Sequence, residues 1–255
     1  MYDSFTSDYD RFNNWPARLA FELPFIENLL KALQPAGKPL KVLDAACGTG
    51  QHALALARKG YTVSGADLSS PMIAAARENA RLAGLNLDLR AVGFGSLAQA
   101  FGPSSFDAVL CLGNSLPHLL TAADLDRALQ DFAACLHPGG MLLIQNRNFD
   151  AVMRSRQRWM EPQPFRDESG EWLFQRFYDF EANSLIRFNI VTLKRLPGGD
   201  WSSSVGSTFL RPQISTDLAA AVARIGFTSS SLFGSLNGDP FDPAGSGNLV
   251  LWAIK

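Results

Sequence analysis

Lys41-Val-Leu-Asp-Ala-Ala-Cys-Gly-Thr-Gly50 decides the fold: a short apolar run reaches an acid and breaks at once into a glycine-bearing loop. Residues 41–44 read as a buried strand, and residues 51–59 behind the loop as a helix closed by Gly60. Residues 61–66 make a second strand ending at Asp67. A helix over 70–83 follows, with Ser70 as its cap, Pro71 at its first position and Gly84 at its close. Residues 87–92 and 106–112 are the third and fourth strands. The helix at 122–136 is stopped by Pro138-Gly-Gly140, and a fifth strand covers 141–145. Upstream, residues 15–33 carry Leu19, Leu23, Ile26, Leu30 and Leu33 at helical spacing, with Pro16 in the first turn and Pro35 past the end.

Strands and helices that alternate this regularly demand a parallel sheet covered on both faces. The non-alternating runs Val109-Leu-Cys-Leu112 and Met141-Leu-Leu-Ile144 agree, because strands buried on both sides need no polar face. The expected fold class is therefore α/β, a doubly wound and mostly parallel seven-stranded sheet. Past Asp150 the rhythm changes. Residues 172–180 and 185–196 have strand character, joined through Ala182-Asn-Ser184, and 204–210 make a third strand. Phe174, Tyr178 and Phe180 fall on one face, Phe177 and Asp179 on the other. Residues 216–225 return to helix before Gly226, and 249–254 form the last strand. The expected division is a helical cap over 1–36, an α/β core over 37–150 and 212–255, and an antiparallel β insertion or lid over 151–211.

The 255 residues are 47% hydrophobic and 18% charged, which supplies a core and excludes a largely disordered chain. A net charge of −1 leaves no basic footprint for nucleic acid. The polar, acidic start MYDSFTSDYD is not a signal peptide, and no apolar run is long enough to span a bilayer. Cys47, Cys111 and Cys135 stand at unrelated spacings without a CxxC pair, so neither a metal site nor a disulfide framework is expected, and a cytoplasmic setting is the simplest.

Ligands in such folds bind outside the carboxyl ends of the strands. Gly48-Thr-Gly-Gln-His-Ala53 satisfies the GxGxxA form of a dinucleotide loop, with Asp67 placed to accept from ribose hydroxyls. An empty structural turn is the bland alternative. Asp44 argues against a dinucleotide, because a carboxylate there faces a pyrophosphate at close range. The same carboxylate suits an ammonium group. S-adenosylmethionine offers one, together with a sulfonium, a ribose diol and an adenine, and Gly48 and Gly50 let the backbone approach it closely.

Val42-Leu-Asp-Ala-Ala-Cys-Gly-Thr-Gly50 resembles motif I of class I S-adenosylmethionine-dependent methyltransferases. Asp67-Leu-Ser-Ser-Pro-Met72 resembles their second-strand acid followed by an apolar cover for adenine, and Phe106–Leu112 with Leu136–Gly140 resembles the fourth strand and the turn before the fifth. A narrower likeness, to glycine and sarcosine N-methyltransferases, rests on Leu112-Gly-Asn-Ser-Leu-Pro-His118 and Asn146-Arg-Asn-Phe-Asp150. It implies that Asn114 faces a substrate amine, that Arg147 pairs with a substrate carboxylate and that His118 lines the same pocket. It also implies a cofactor site of Tyr9, Trp15, Arg18, Asp44, Ala46, Gly48, Gly50, Asp67, Leu68, Met72, Phe94 and Leu112. Arg18 meets the cofactor carboxylate and Phe94 covers the adenine. Two features depart from the pattern: Ala91-Val-Gly-Phe-Gly95 lacks the acid that often binds the adenine amine, and Arg154–Phe165 replaces a tyrosine-rich segment.

The resemblance implies transfer of a methyl group to a small-molecule acceptor, leaving S-adenosylhomocysteine, with neither nucleic acid nor membrane as partner. The leading expectation is an amine that carries a carboxylate. Asn114 accepts one of its N–H groups, His118 takes the released proton and Arg147 grips the carboxylate in bidentate fashion. O- or C-methylation of another metabolite, and a non-catalytic cofactor-binding protein, are the alternatives.

Overall fold

The computed structural model describes residues 2–33 and 38–255; Pro35 and the expected boundary at 36/37 lie outside them. Helices α1 (Tyr2–Phe12) and α2 (Trp15–Leu33) lead into β1 (Lys41–Asp44), α3 (Gln51–Arg58), β2 (Thr62–Asp67), α4 (Ser70–Leu82), β3 (Asp88–Ala91), α5 (Leu97–Phe101) and β4 (Phe106–Cys111). Then come α6 (Ala122–Cys135), β5 (Leu136–Arg147), α7 (Phe149–Ser155), β6 (Gln163–Asp167), β7 (Gly170–Phe180), β8 (Ile186–Arg195) and β9 (Trp201–Leu210). The chain closes with α8 (Ser215–Ile225), β10 (Ser229–Phe233) and β11 (Asn248–Ile254).

Among the described residues the strands form a seven-stranded sheet, ordered β10-β11-β5-β4-β1-β2-β3, and a four-stranded sheet, β6-β7-β8-β9. In the first, β11 pairs antiparallel with both β5 and β10, and the remaining pairs are parallel. The second sheet is antiparallel throughout. Strand geometry explains why β1 reads as an unbroken apolar run. Successive side chains leave opposite faces, so Leu43 enters the cluster holding Phe132 and Val222, while Val42 enters the one holding Ile26 and Leu56. Both are fully buried, each removal from water being worth about 1.5–3 kcal/mol before chain entropy. Cys47, Cys111 and Cys135 are free and buried. No helix among the described residues is long and apolar enough to cross a membrane.

Two local expectations are corrected. The cap of α4 is Ser69, whose hydroxyl accepts from the Met72 N–H at 3.3 Å, and Ser70 is already helical. Pro138-Gly-Gly140 lies inside a strand: α6 ends at Cys135, and β5 runs through Pro138 and the two glycines as far as Arg147. The pairing of β5 with β4 shifts register between Phe106 and Ala108. That irregularity admits a proline without an N–H and Gly139 at φ 79°. Helix α1 falls within the expected cap, and α5, α7, β6 and β10 are elements that the sequence periodicity does not mark.

Candidate active site

The chain leaves β1 for β2 and β3 on one side of the sheet and returns to β4 and β5 on the other. The switch point therefore lies at the carboxyl ends of β1 and β4, where a crevice must open. A cavity of about 700 Å³ lies there, within the usual range of ligand pockets. Its floor is the loops after β1, β2, β3 and β4. Its roof comes from α1, α2 and the concave face of the antiparallel sheet, where Arg176 pairs in register with Ile190, and Tyr178 with Phe188. The two parts of the roof are joined, since Phe12 packs edge-on against Phe174 and Arg11 lies 3.7 Å from the Asp167 carboxylate.

Tyr9, Trp15, Arg18, Asp44, Ala46, Gly48, Asp67, Leu68, Met72, Phe94, Leu112, Asn114, His118 and Arg147 all line this one cavity. Gly50 does not. It holds φ +83° at the start of α3, and a Cβ there would stand 3.1 Å from that of Ala76 in α4. Its left-handed backbone and its approach to Ala76 let α3 and α4 pack closely.

Asp44 is 2% exposed, and its Oδ1 has no hydrogen-bond partner. Burial pushes its carboxyl up to about 6, against the opposing pull of the nearby His52. An unpaired buried carboxylate oxygen at the mouth of the glycine loop is the feature an ammonium would satisfy. Asp67 accepts the Gly48 N–H on Oδ2 and the Ser69 N–H on Oδ1, each at 2.9 Å, so its first task is to pin the two loops. Leu68 is 82% exposed although it lines the cavity and packs toward Gly93, an apolar flank open to a ligand face. Phe94 stands edge-on to Phe132 at 5.2 Å.

The roof over the glycine loop is held by side chains. Asp10 accepts from the Trp15 indole and the Thr49 hydroxyl, both at 2.7 Å, and from the Gln51 amide at 3.3 Å. A Cβ at Gly48 would lie 3.7 Å from the Tyr9 ring, whose phenol burial pushes up to about 12. Behind it, Glu22 bridges Arg18 Nε at 3.0 Å and His52 Nε2 at 2.6 Å. Burial works to raise the Glu22 pKa, but His52 and Arg18 outweigh it and hold the carboxyl below its ordinary range. The Arg18 guanidinium also lies over the Trp15 ring, 5.0 Å from its centroid.

Toward the acceptor side, Asn114 takes a left-handed backbone, φ +66°. Its N–H donates to the Gln145 carbonyl, and its Oδ1 accepts the Arg147 N–H at 2.9 Å. The oxygen expected to receive an acceptor N–H thus also ties the β4 loop to β5, with a second lone pair remaining, and the Asn114 NH₂ adds a donor. His118 sits in a short 3₁₀ turn, and burial drops its imidazole to about 4. Burial thus disfavours its charged form, which weighs against an imidazole poised to take a proton near neutral pH.

Glu22, His52, Arg176 and Tyr178 were missed. Each carried a readable signal. Glu22 interrupts the apolar stripe of α2 beside Leu23 and Ile26. Arg176 interrupts the buried face made by Trp172, Phe174 and Tyr178 on β7.

Comparison with known proteins agrees with the fold. A family model described as "Methyltransferase domain" matches residues 42–140. A glycine/sarcosine N-methyltransferase of Aphanothece halophytica is 30% identical over 208 residues, 76% of this chain and 74% of that protein. The enzyme of the same description from Halorhodospira halochloris is 34% identical over 151 residues, 59% of this chain, and the match spans about half (54%) of its length. A crystal structure of an S-adenosylmethionine-dependent methyltransferase from Clostridium acetobutylicum superposes with a TM-score of 0.77 over 99% of this chain and 98% of that one. At 17% identity that likeness shows the fold.

Proposed function

This chain belongs to the class I S-adenosylmethionine-dependent methyltransferases, and from that premise we propose that it methylates the amine of a small acceptor bearing a carboxylate. The observation that carries the cofactor half is the orphaned Oδ1 of Asp44, which a ligand ammonium would pair. In this reading Arg18 takes the cofactor carboxylate through the guanidinium nitrogens that Glu22 leaves free. Asp67 takes the ribose hydroxyls, and Leu68, Met72 and Phe94 enclose the adenine. S-adenosylmethionine, when bound, supplies a methyl group on a sulfonium, ready for in-line displacement.

What remains for the chain is positioning and exclusion of water. Arg147, at the exposed end of β5, offers its fork to an acceptor carboxylate. Asn114 NH₂ donates to an oxygen of the same acceptor and steadies the angle of its amine. The amine must arrive neutral, and with His118 too weakly basic the displaced proton leaves to solvent. The helical cap over residues 1–36 and the antiparallel lid over 151–211 close a core of 37–150 and 212–255. Closure keeps water from competing for the methyl group. The glycine/sarcosine N-methyltransferase relatives support an amine acceptor.

The test is methyl transfer, followed as S-adenosylhomocysteine formed, against a panel of amino acids and of amines without a carboxylate. Turnover only with carboxylate-bearing amines is expected, and Arg147→Ala should raise KM for them by about 10²-fold, the loss of one bidentate pair. Cofactor affinity should stay unchanged. Equal turnover of amines lacking a carboxylate, or none with any amine, overturns the reading.

A further inference from the structure

The acceptor side of the cavity holds a second guanidinium that the reading above does not use. Arg176 lies on β7 among the inward-facing residues Trp172, Phe174 and Tyr178, and it lines the cavity with Arg147. Its guanidinium lies over the Phe12 ring at 4.8 Å, and its Nε is buried without a hydrogen-bond partner. Tyr178 lines the same cavity as both arginines and stands two residues from Arg176 on one strand face, a spacing of about 6.5–7 Å. Neither arginine forms an ion pair among the described residues.

The cavity's acids cannot neutralise them. Asp44 and Asp67 end β1 and β2, and Glu22 is committed to Arg18 and His52. Strand β5 stands two places from β1, about 10 Å across the sheet. A guanidinium held over the Phe12 ring and within reach of the Arg147 charge is costly unless something negative comes near it. A single carboxylate satisfies one fork and leaves the other charge unmatched. A dianion satisfies both.

We propose that the acceptor subsite is built for a dianion, so that the methylated amine carries either two carboxylates or one phosphate, shared between Arg147 and Arg176 in the cavity that Tyr178 also lines. This rests on the amine-acceptor reading and narrows its substrate class. Arg176 is then a specificity-determining contact.

The first experiment needs no variant. Acetate, malonate and inorganic phosphate are titrated by calorimetry into the protein loaded with S-adenosylhomocysteine. Malonate or phosphate should bind at least about tenfold more tightly than acetate, as one further charge-assisted pair implies. Initial rates with glycine, aspartate and phosphoethanolamine then separate the sources. An advantage of about tenfold in kcat/KM for aspartate over glycine names a dicarboxylate, and the same advantage for phosphoethanolamine names a phosphate. Arg176→Gln should remove the dianion preference while acetate affinity stays within about threefold and cofactor affinity is kept.

No dianion preference in the unmodified protein overturns the proposal, as does an equal loss for acetate and malonate in Arg176→Gln. Methylation of glycine without any dianion preference overturns the paired-arginine subsite alone and leaves the amine reading standing. Dianion preference with no amine methylated overturns the amine reading alone.

Discussion

Asp44 ties affinity for the cofactor to pH, and the size of the effect follows from its burial. In the ligand-free protein its carboxyl is pushed up to about 6, from an ordinary 3.8. A ligand ammonium against the orphaned Oδ1 favours the ionised form and lowers that pKa in the complex. Binding therefore expels a proton below pH 6 and needs no proton change above it. The carboxyl is about nine-tenths ionised at pH 7 and about one-tenth ionised at pH 5, so Kd should rise about tenfold between them, or about 1.4 kcal/mol. Above pH 7 it should level. Calorimetry with S-adenosylhomocysteine at pH 5, 6 and 7, in buffers of different ionisation enthalpy, reads both the affinity and the proton released. Two controls isolate the residue. Asp44→Asn should bind weakly with little slope, and 5′-methylthioadenosine, which lacks the amino-acid end, should bind the unmodified protein without the slope. A Kd flat from pH 5 to 7, or the same slope in Asp44→Asn, refutes the reasoning.

The same raised pKa has a consequence for folding. A carboxyl that prefers its proton in the folded state contributes stability below about pH 4, and that stability is lost as pH rises through about 6. At pH 7 the ionised, unpaired Asp44 costs on the order of 1–3 kcal/mol. Asp44→Asn should accordingly raise the melting temperature of the ligand-free protein by several degrees at pH 7, with little gain at pH 4. Stability gained by the variant that loses the ligand is the mark of a site built for binding.

Three further perturbations probe separate parts of the site. Gly50→Ala forces a side chain into φ +83° and against Ala76, and should cost about 1–3 kcal/mol by thermal melting; Gly84→Ala, at φ +65° in open space, should cost only about 1 kcal/mol. Equal losses would show that helix packing is not what Gly50 serves. His118→Asn should leave the pH profile of kcat between 6 and 8 unchanged, because burial already keeps the imidazole neutral there; an NMR titration placing His118 near 6.5 would contradict this. Asp10→Ala strands donors from Trp15, Thr49 and Gln51 and should loosen α1 from the glycine loop. Faster cofactor dissociation by stopped flow, about 5- to 100-fold for the 1–3 kcal/mol at stake, is the expected readout, and an unchanged rate would mean that the latch does not cover the ligand.

The cofactor half of the site was legible because it is local. Asp44, Gly48 and Asp67 stand at strand ends that hydrophobic runs and glycines mark directly, and strand order then brings those ends together. The acceptor half is assembled by pairing between distant segments, which periodicity does not encode. Arg176 reaches the cavity because β7 pairs with β8 in a register opposing it to Ile190, and because α1 sets Phe12 beneath it. The glycines of Leu136–Gly140 misled for a related reason. Alone they read as a helix stop, yet they fall in the irregular stretch of β5 between the Leu136 and Met141 pairings with β4. The local bond of Asn114 is likewise not legible in the sequence, since only the structure shows the Arg147 N–H on its oxygen.

The arrangement of charge along the sheet also orients the proposed transfer. An acid with an unpaired oxygen ends β1, Arg147 ends β5, Arg176 enters the same cavity from β7, and the Asn114 loop leaves β4 between β1 and β5. A cofactor whose ammonium sits at Asp44 and an acceptor whose anion sits at Arg147 approach from opposite ends of a span of about 10 Å. Their reactive centres then meet over β4. Exchanging the two ligands would set a cofactor ammonium against two guanidinia and an acceptor anion against Asp44, and in a half-buried cavity each mismatch costs several kcal/mol. Strand order thus does more than open a crevice: it separates the charges that keep the two substrates from binding in each other's place.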